Sequence, residues 1–181
     1  MNILIIYGSL REKSLNKALA HAAQTMAPEG VDIELTGVGD LPLYNQDLEG
    51  EKEYPAVARA FKEKIRTADG VIIVTPEYNR GISGALKNAI DWTSRPSGQH
   101  PWGGKPIGVM GVSSGDRGTI VAQYDLKRTL NYFGSHVMGQ PEFYLNGTGK
   151  FDDAMKLTDE KTKEYVVRYL TAFKAHVEKL S

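Results

Sequence analysis

The chain has 181 residues, 41% of them hydrophobic, which suits one globular domain over residues 1–181 with a full core. Twenty-two Lys and Arg balance 22 Asp and Glu, and no long run of one sign occurs, which argues against nucleic acid or an anionic membrane surface as the main partner. Cysteine is absent, and with it go disulfides, thiolate nucleophiles, iron–sulfur clusters and Cys-based zinc sites.

The opening Met1 to Ile6 has neither a basic region nor a cleavage site, and no apolar stretch is long enough to span a bilayer. A soluble cytoplasmic protein is the expectation. Residues 2–7 form an apolar run stopped at Gly8, as in a central parallel strand. Leu15, Ala18, Leu19, Ala22, Ala23 and Met26 mark one helix face, ended by Pro28 and Gly30. Val31 to Thr36 alternates as a half-exposed strand does. Gly37 to Tyr54 reads as a long loop with an acidic patch, and loops of this length are usually functional or mobile. Pro55 opens a helix to about Thr67. Gly70 to Thr75 is a short, buried β-branched strand, followed by a polar turn and a helix from near Ser83. After a loop over Arg95 to Gly104 come a strand at Lys105 to Val112, interrupted by Gly108 and Gly111, and a helix over Thr119 to Phe133. A fifth strand region, His136–Met138 with Glu142–Tyr144, lies near Pro141, and Thr158 to Leu180 forms a last amphipathic helix.

Strands alternating with helices predict an α/β three-layer sandwich, a parallel sheet covered on both faces with right-handed crossovers. Five strands fit the flavodoxin-like order 2-1-3-4-5, in which a ligand binds at the carboxyl ends where the order reverses.

In that order the turns after strands one, three and four share a rim. The first carries Ser9, Arg11, Ser14 and Asn16 beside a helix start at Leu15, a donor set suited to a monoester phosphate. It lacks the Gly-x-Gly-x-x-Gly and Walker patterns. An equally available reading makes Ser14 a plain helix cap and Arg11 a solvated charge. The second turn, Pro76, Glu77, Tyr78, Asn79 and Arg80, is large and polar where a simple connector needs only Gly and Asn. That composition points to a flat, polar-edged ligand. The third, Ser113, Ser114, Gly115, Asp116 and Arg117, is the least specific alone. No Gly-x-Ser-x-Gly elbow or metal spacing occurs, and the four histidines are scattered. A phosphate cradle and a flat-ligand turn without a nucleophile or base imply that a cofactor carries the chemistry.

Gly8-Ser9-Leu10-Arg11 with Ser14 and Asn16, then Thr75-Pro76-Glu77-Tyr78-Asn79, Gly84 and Leu86-Lys87-Asn88-Ala89-Ile90-Asp91-Trp92, closely resemble the NAD(P)H-dependent FMN reductase family, which includes bacterial chromate and quinone reductases. The likeness covers nearly the whole chain. It implies non-covalent FMN in a flavodoxin-like fold. Its phosphate would be held by Ser9, Arg11, Ser14, Leu15 and Asn16. Its ring would lie along Pro76, Glu77, Tyr78 and Asn79, mostly through backbone groups, and against Ser113, Ser114 and Gly115. By resemblance, hydride passes from NADPH or NADH to the flavin, and electrons then go to a quinone, free flavin, azo compound or metal oxyanion such as chromate, in ping-pong fashion. No side chain need act as acid or base.

Relatives usually carry Pro where this chain has Ser83, and many have Gly-Gly-x-Arg where it has Gly118-Thr119-Ile120-Val121. In some members that arginine joins a dimer–dimer contact with a tyrosine and a glutamate. Tyr124 and Glu142 stand in matching places, but Val121 cannot form the ion pair. The resemblance therefore implies a homodimer and leaves a homotetramer open. A non-catalytic flavodoxin-like electron carrier is the alternative, although carriers are strongly acidic and this chain is neutral. A structural domain with an empty site would need three polar loops to coincide by chance. Tyr44 and Trp102, in the two long loops, are expected as walls of the acceptor pocket.

Overall fold

The computed structural model describes residues 1–50 and 52–180; Glu51, part of the acidic patch, and Ser181 lie outside them. A parallel sheet runs in the order β2-β1-β3-β4-β5, built from β1 (Asn2–Tyr7), β2 (Asp32–Gly37), β3 (Gly70–Val74), β4 (Pro106–Ser113) and β5 (His136–Val137). A sixth strand, β6 (Tyr144–Asn146), also pairs with β4. The expected fifth strand is thus two strands. β5 pairs with residues 106–107 of β4 and β6 with residues 111–113, and the chain leaves the ladder between them around Gly139 and Pro141, where proline has no N–H to give.

The period-2 alternation of the strands sorts the core into two layers. Ile3, Ile5, Ile72, Val74, Met110 and Val112 face α1 (Leu15–Thr25) and α5 (Glu160–Glu178). Leu4, Ile6, Val71, Ile73, Ile107 and Val109 face α2 (Ala56–Thr67), α3 (Gly84–Thr93) and α4 (Ile120–Tyr132). This is the flavodoxin-like three-layer α/β sandwich.

Gly108 is in β4 because α5 comes so close: a Cβ there would meet the Tyr169 hydroxyl at 2.9 Å, while that hydroxyl donates to the Val109 carbonyl at 3.0 Å. Pro42, Tyr44 and Tyr54 of the long loop are anchored to α3. Asn88 of α3 accepts from Tyr44 N–H at 2.8 Å and donates to Pro42 O at 2.9 Å, and Trp92 Nε1 donates to the same carbonyl at 2.7 Å. Tyr44 and Tyr54 both pack edge-on against the Trp92 ring. Trp102 is not a pocket wall: it is buried among the helices of the second layer, its Nε1 donating to Thr93 Oγ1 at 3.0 Å. An indole this large in a loop is core, not rim. Among the described residues no helix is long and apolar enough to cross a membrane.

Candidate functional site

Strands β1, β3 and β4 are neighbours and end on the same side, so the turns after Tyr7, Val74 and Ser113 meet at the switch point. The first turn leaves β1 with Gly8 N–H bonded to Val74 O at 2.9 Å. Ser14 caps α1, its hydroxyl accepting from Lys17 N–H at 3.2 Å. Ser9 is buried and accepts from Arg11 N–H at 3.4 Å, while the Arg11 side chain is exposed at the mouth. Ser83 does two jobs: its hydroxyl donates to Gly8 O at 2.6 Å and accepts from Leu86 N–H at 3.1 Å, so it caps α3 and joins the first turn to the second.

The second turn is a two-residue hairpin. Tyr78 and Gly81 exchange backbone hydrogen bonds of 3.0 and 2.9 Å, and the residues between them, Asn79 and Arg80, have φ of 51° and 66°. Two successive positive φ values are what a type I′ turn requires; Asn accepts this readily, Arg less so. Tyr78 is held on the outside, 49% exposed. Glu77 points the other way. Its Oε2 accepts from Val121 N–H and Ala122 N–H, each at 3.0 Å, and its Oε1 lies 3.4 Å from Arg80 Nη1. These are the amides an N-cap side chain normally holds, and the N-cap of α4, Thr119, makes no such bond.

The third turn is closed on itself and tied to the first. Ser113 Oγ donates to Gly118 O at 2.7 Å. Beyond Met110, whose carbonyl accepts from Thr75 N–H, β4 has run past the end of β3, and Asn16 takes over as a substitute strand. Its Nδ2 donates to Val112 O at 2.9 Å and its Oδ1 accepts from Val112 N–H at 3.1 Å. Asn16 is a strut between α1 and β4, a task that sequence reasoning did not assign to it. Its spacing alone carries no sign of that task, because the partner is 96 residues away.

Ser9, Arg11, Ser14, Leu15, Asn16, Pro76, Glu77, Tyr78, Ser113 and Ser114 line one open cleft with a volume of about 140 Å³, joined by Val112, which was not among the expected ligand contacts. Asn79 and Gly115 are not among the lining residues; they shape the turns beside it. This volume is below that of a cavity surrounding a whole ligand. It can hold one end of a mononucleotide, with the rest lying across the exposed Tyr78 and Leu10. The donors fit an anion at the α1 end: two serine hydroxyls, a guanidinium, and the free amides of the first helical turn. The lining carboxylate, Glu77, is already held by α4. A hollow of about 380 Å³ also lies beside α2, where Lys62 serves the fold. Lys62 Nζ donates to Arg95 O at 2.5 Å, burial and the neighbouring Arg66 and Arg59 hold its pKa below the usual lysine value, and Arg66 pairs with Glu63 at 3.4 Å.

Residues 1–150 match the family model described as NADPH-dependent FMN reductase. The chain belongs to that family. It is 43% identical to a 2-hydroxy-1,4-benzoquinone reductase from Burkholderia sp over 178 residues, covering 98% of this chain and 96% of the relative. It is 38% identical to a quinone reductase of Escherichia coli (strain K12) over 99% of this chain and 97% of the relative. Among solved structures, the flavoenzyme NAD(P)H:(acceptor) oxidoreductase FerB from Paracoccus denitrificans superposes with a TM-score of 0.89 at 38% identity, over 98% of this chain and 97% of that one. The chain is therefore an enzyme, an oxidoreductase of the NAD(P)H-dependent FMN and quinone reductase type.

Proposed function

We propose that this reductase holds FMN in the switch-point cleft and passes electrons from NADPH or NADH to a quinone, with free flavin, azo compounds and metal oxyanions such as chromate as further acceptors. The observation that carries this is the convergence of the three turns on one cleft, with an anion-binding end at α1 and an exposed aromatic ledge at Tyr78. Bound FMN supplies the hydride-accepting and electron-donating chemistry. The chain's own residues bind and orient. Ser9, Ser14, Arg11 and the amides of Leu15 and Asn16 receive the phosphate, and the Asn16 side chain keeps their frame rigid. The backbone of Pro76, Glu77, Tyr78 and Asn79 lies along the ring, with Ser113, Ser114 and Gly115 across from it. The lining carboxylate, Glu77, is engaged by the α4 amides, so the side chains of the cleft are assigned positioning roles.

Arg117, exposed beside the cleft, and Arg80 suit the phosphates of the nicotinamide nucleotide. Arg80 already faces Glu77, so Arg117 is the more available cation. One cleft serving both substrates in turn gives a ping-pong order. A homodimer fits the exposed Tyr124 and Tyr132 of α4. The tetramer is disfavoured because Glu142 already has partners within the chain, Lys127 Nζ at 3.2 Å and the Tyr144 hydroxyl at 2.5 Å. Steady-state rates with varied NADPH at several fixed benzoquinone concentrations test the order. Parallel double-reciprocal lines are expected, and intersecting lines would show that both substrates bind at once.

A further inference from the structure

Two helix N-termini, those of α1 and α4, approach the cleft, and each offers free amides and a positive dipole end to an anion. The α1 end keeps its first two amides, since Ser14 takes only Lys17 N–H. Glu77 reaches from the hairpin to α4 and seats a carboxylate oxygen on Val121 N–H and Ala122 N–H, both at 3.0 Å. We propose that Glu77 is a positioning residue that sets the polarity of the cofactor cleft: its carboxylate closes the α4 end to anions and pins the ring-side backbone, so that a phosphate can enter only at the α1 end.

Three observations support this. Thr119, at the N-cap position, turns its hydroxyl to Gln123 Nε2 at 3.0 Å, so α4 depends on Glu77 for its cap. The Glu77 side chain is only 10% exposed, so the contact is not an interchangeable surface pairing. The same residue immediately precedes the hairpin in which Asn79 and Arg80 hold positive φ, a conformation that needs an anchor at its base. A carboxylate and a phosphate would repel across a cleft of this size. The carboxylate also takes the two amides that a misplaced phosphate would need.

The inference rests on the cleft being the FMN site. The test compares the parent with Glu77→Ala and Glu77→Gln in three measurements: FMN affinity, riboflavin affinity, and the backbone amide NMR signals of Val121 and Ala122 on titration with inorganic phosphate. In Glu77→Ala, FMN and riboflavin are both expected to weaken by about tenfold or more, since two charge-assisted bonds are lost. Their ratio should stay within about twofold of the parent's, because the phosphate end is untouched; this factor is an order-of-magnitude allowance for indirect effects. The Val121 and Ala122 amides, silent to phosphate in the parent, should shift in Glu77→Ala. Glu77→Gln keeps an acceptor on the same amides and should restore most of the affinity.

Unchanged FMN affinity in Glu77→Ala, amides that ignore phosphate, or a collapse of the FMN-to-riboflavin ratio would each overturn the assignment. If Glu77→Ala does not fold, the ratio in Glu77→Gln decides by the same criterion. A parent protein that binds no flavin would instead sink the cofactor assignment. The phosphate response of the two amides would still report whether Glu77 closes the helix end.

Discussion

Asn16→Ala separates two roles that the sequence alone could not. If Asn16 is chiefly a phosphate ligand, the substitution weakens FMN and leaves the flavin-free protein as stable as before. The structure assigns it bonds of 2.9 and 3.1 Å to both backbone groups of Val112, a residue 1% exposed. Removing the amide strands a buried N–H and a buried C=O where β3 no longer runs alongside. Each such group costs about 1–3 kcal/mol when left unpaired. Partial relaxation at the rim lowers the sum, and a loss of roughly 2–5 kcal/mol is expected for the flavin-free protein. Urea denaturation of parent and variant, with FMN removed from both, measures it as a lower midpoint at unchanged slope. A change under about 0.5 kcal/mol, the usual range for substitutions that touch nothing, would refute the strut.

Arg11→Ala should weaken FMN by roughly 1.5–3 kcal/mol if the guanidinium makes a charge-assisted bond to phosphate, while leaving riboflavin affinity unchanged; calorimetry with both flavins checks this. In Gly111→Ala the new methyl would collide with Thr119 Oγ1 and come within 2.6 Å of Thr75 O, so a loss of about 1–3 kcal/mol or more is expected in thermal or urea unfolding. The hydrogen bond from Tyr144, then that from Lys127, hold the Glu142 carboxyl below the usual range. A group lowered on folding contributes stability above its unfolded value and loses it as pH falls through the folded one. The stability gap between the parent and Glu142→Gln should therefore be present at neutral pH and shrink on acidification through and below the ordinary carboxylate range. A gap that grows on acidification would reverse the sign. Arg117→Ala should raise the KM for NADPH more than that for benzoquinone, and equal effects would remove Arg117 from nucleotide recognition.

The order of the sheet was legible because short apolar runs alternate with helical patterns along the chain, whereas the layer each side chain joins in β1 and β3 was not, since both of their faces are apolar. The three turns were legible as well, since polar residues at the ends of apolar runs show themselves locally. What stayed hidden was long-range partnership. Asn16 and Val112, Glu77 and α4, Ser83 and Gly8, and Asn88 with Pro42 are all pairs whose members lie far apart in sequence and whose side chains look like loose donors until the fold brings them together. The split of the fifth strand turns on where the chain around Pro141 leaves the β4 ladder, a matter of packing that composition does not decide. Trp102 was misplaced for a related reason. An aromatic residue in a loop rich in Gly and Pro looks like a wall, yet it fills the second core layer.

The central claim is that the cleft at the switch point makes this chain a reductase loaded with FMN. A visible absorption spectrum of the purified protein with FMN, recorded before and after anaerobic NADPH, tests it most directly. The flavin band should shift and sharpen on binding and bleach on adding NADPH. Flavin that binds but stays yellow with both NADPH and NADH would contradict the reductase, and no binding at all would contradict the cofactor site.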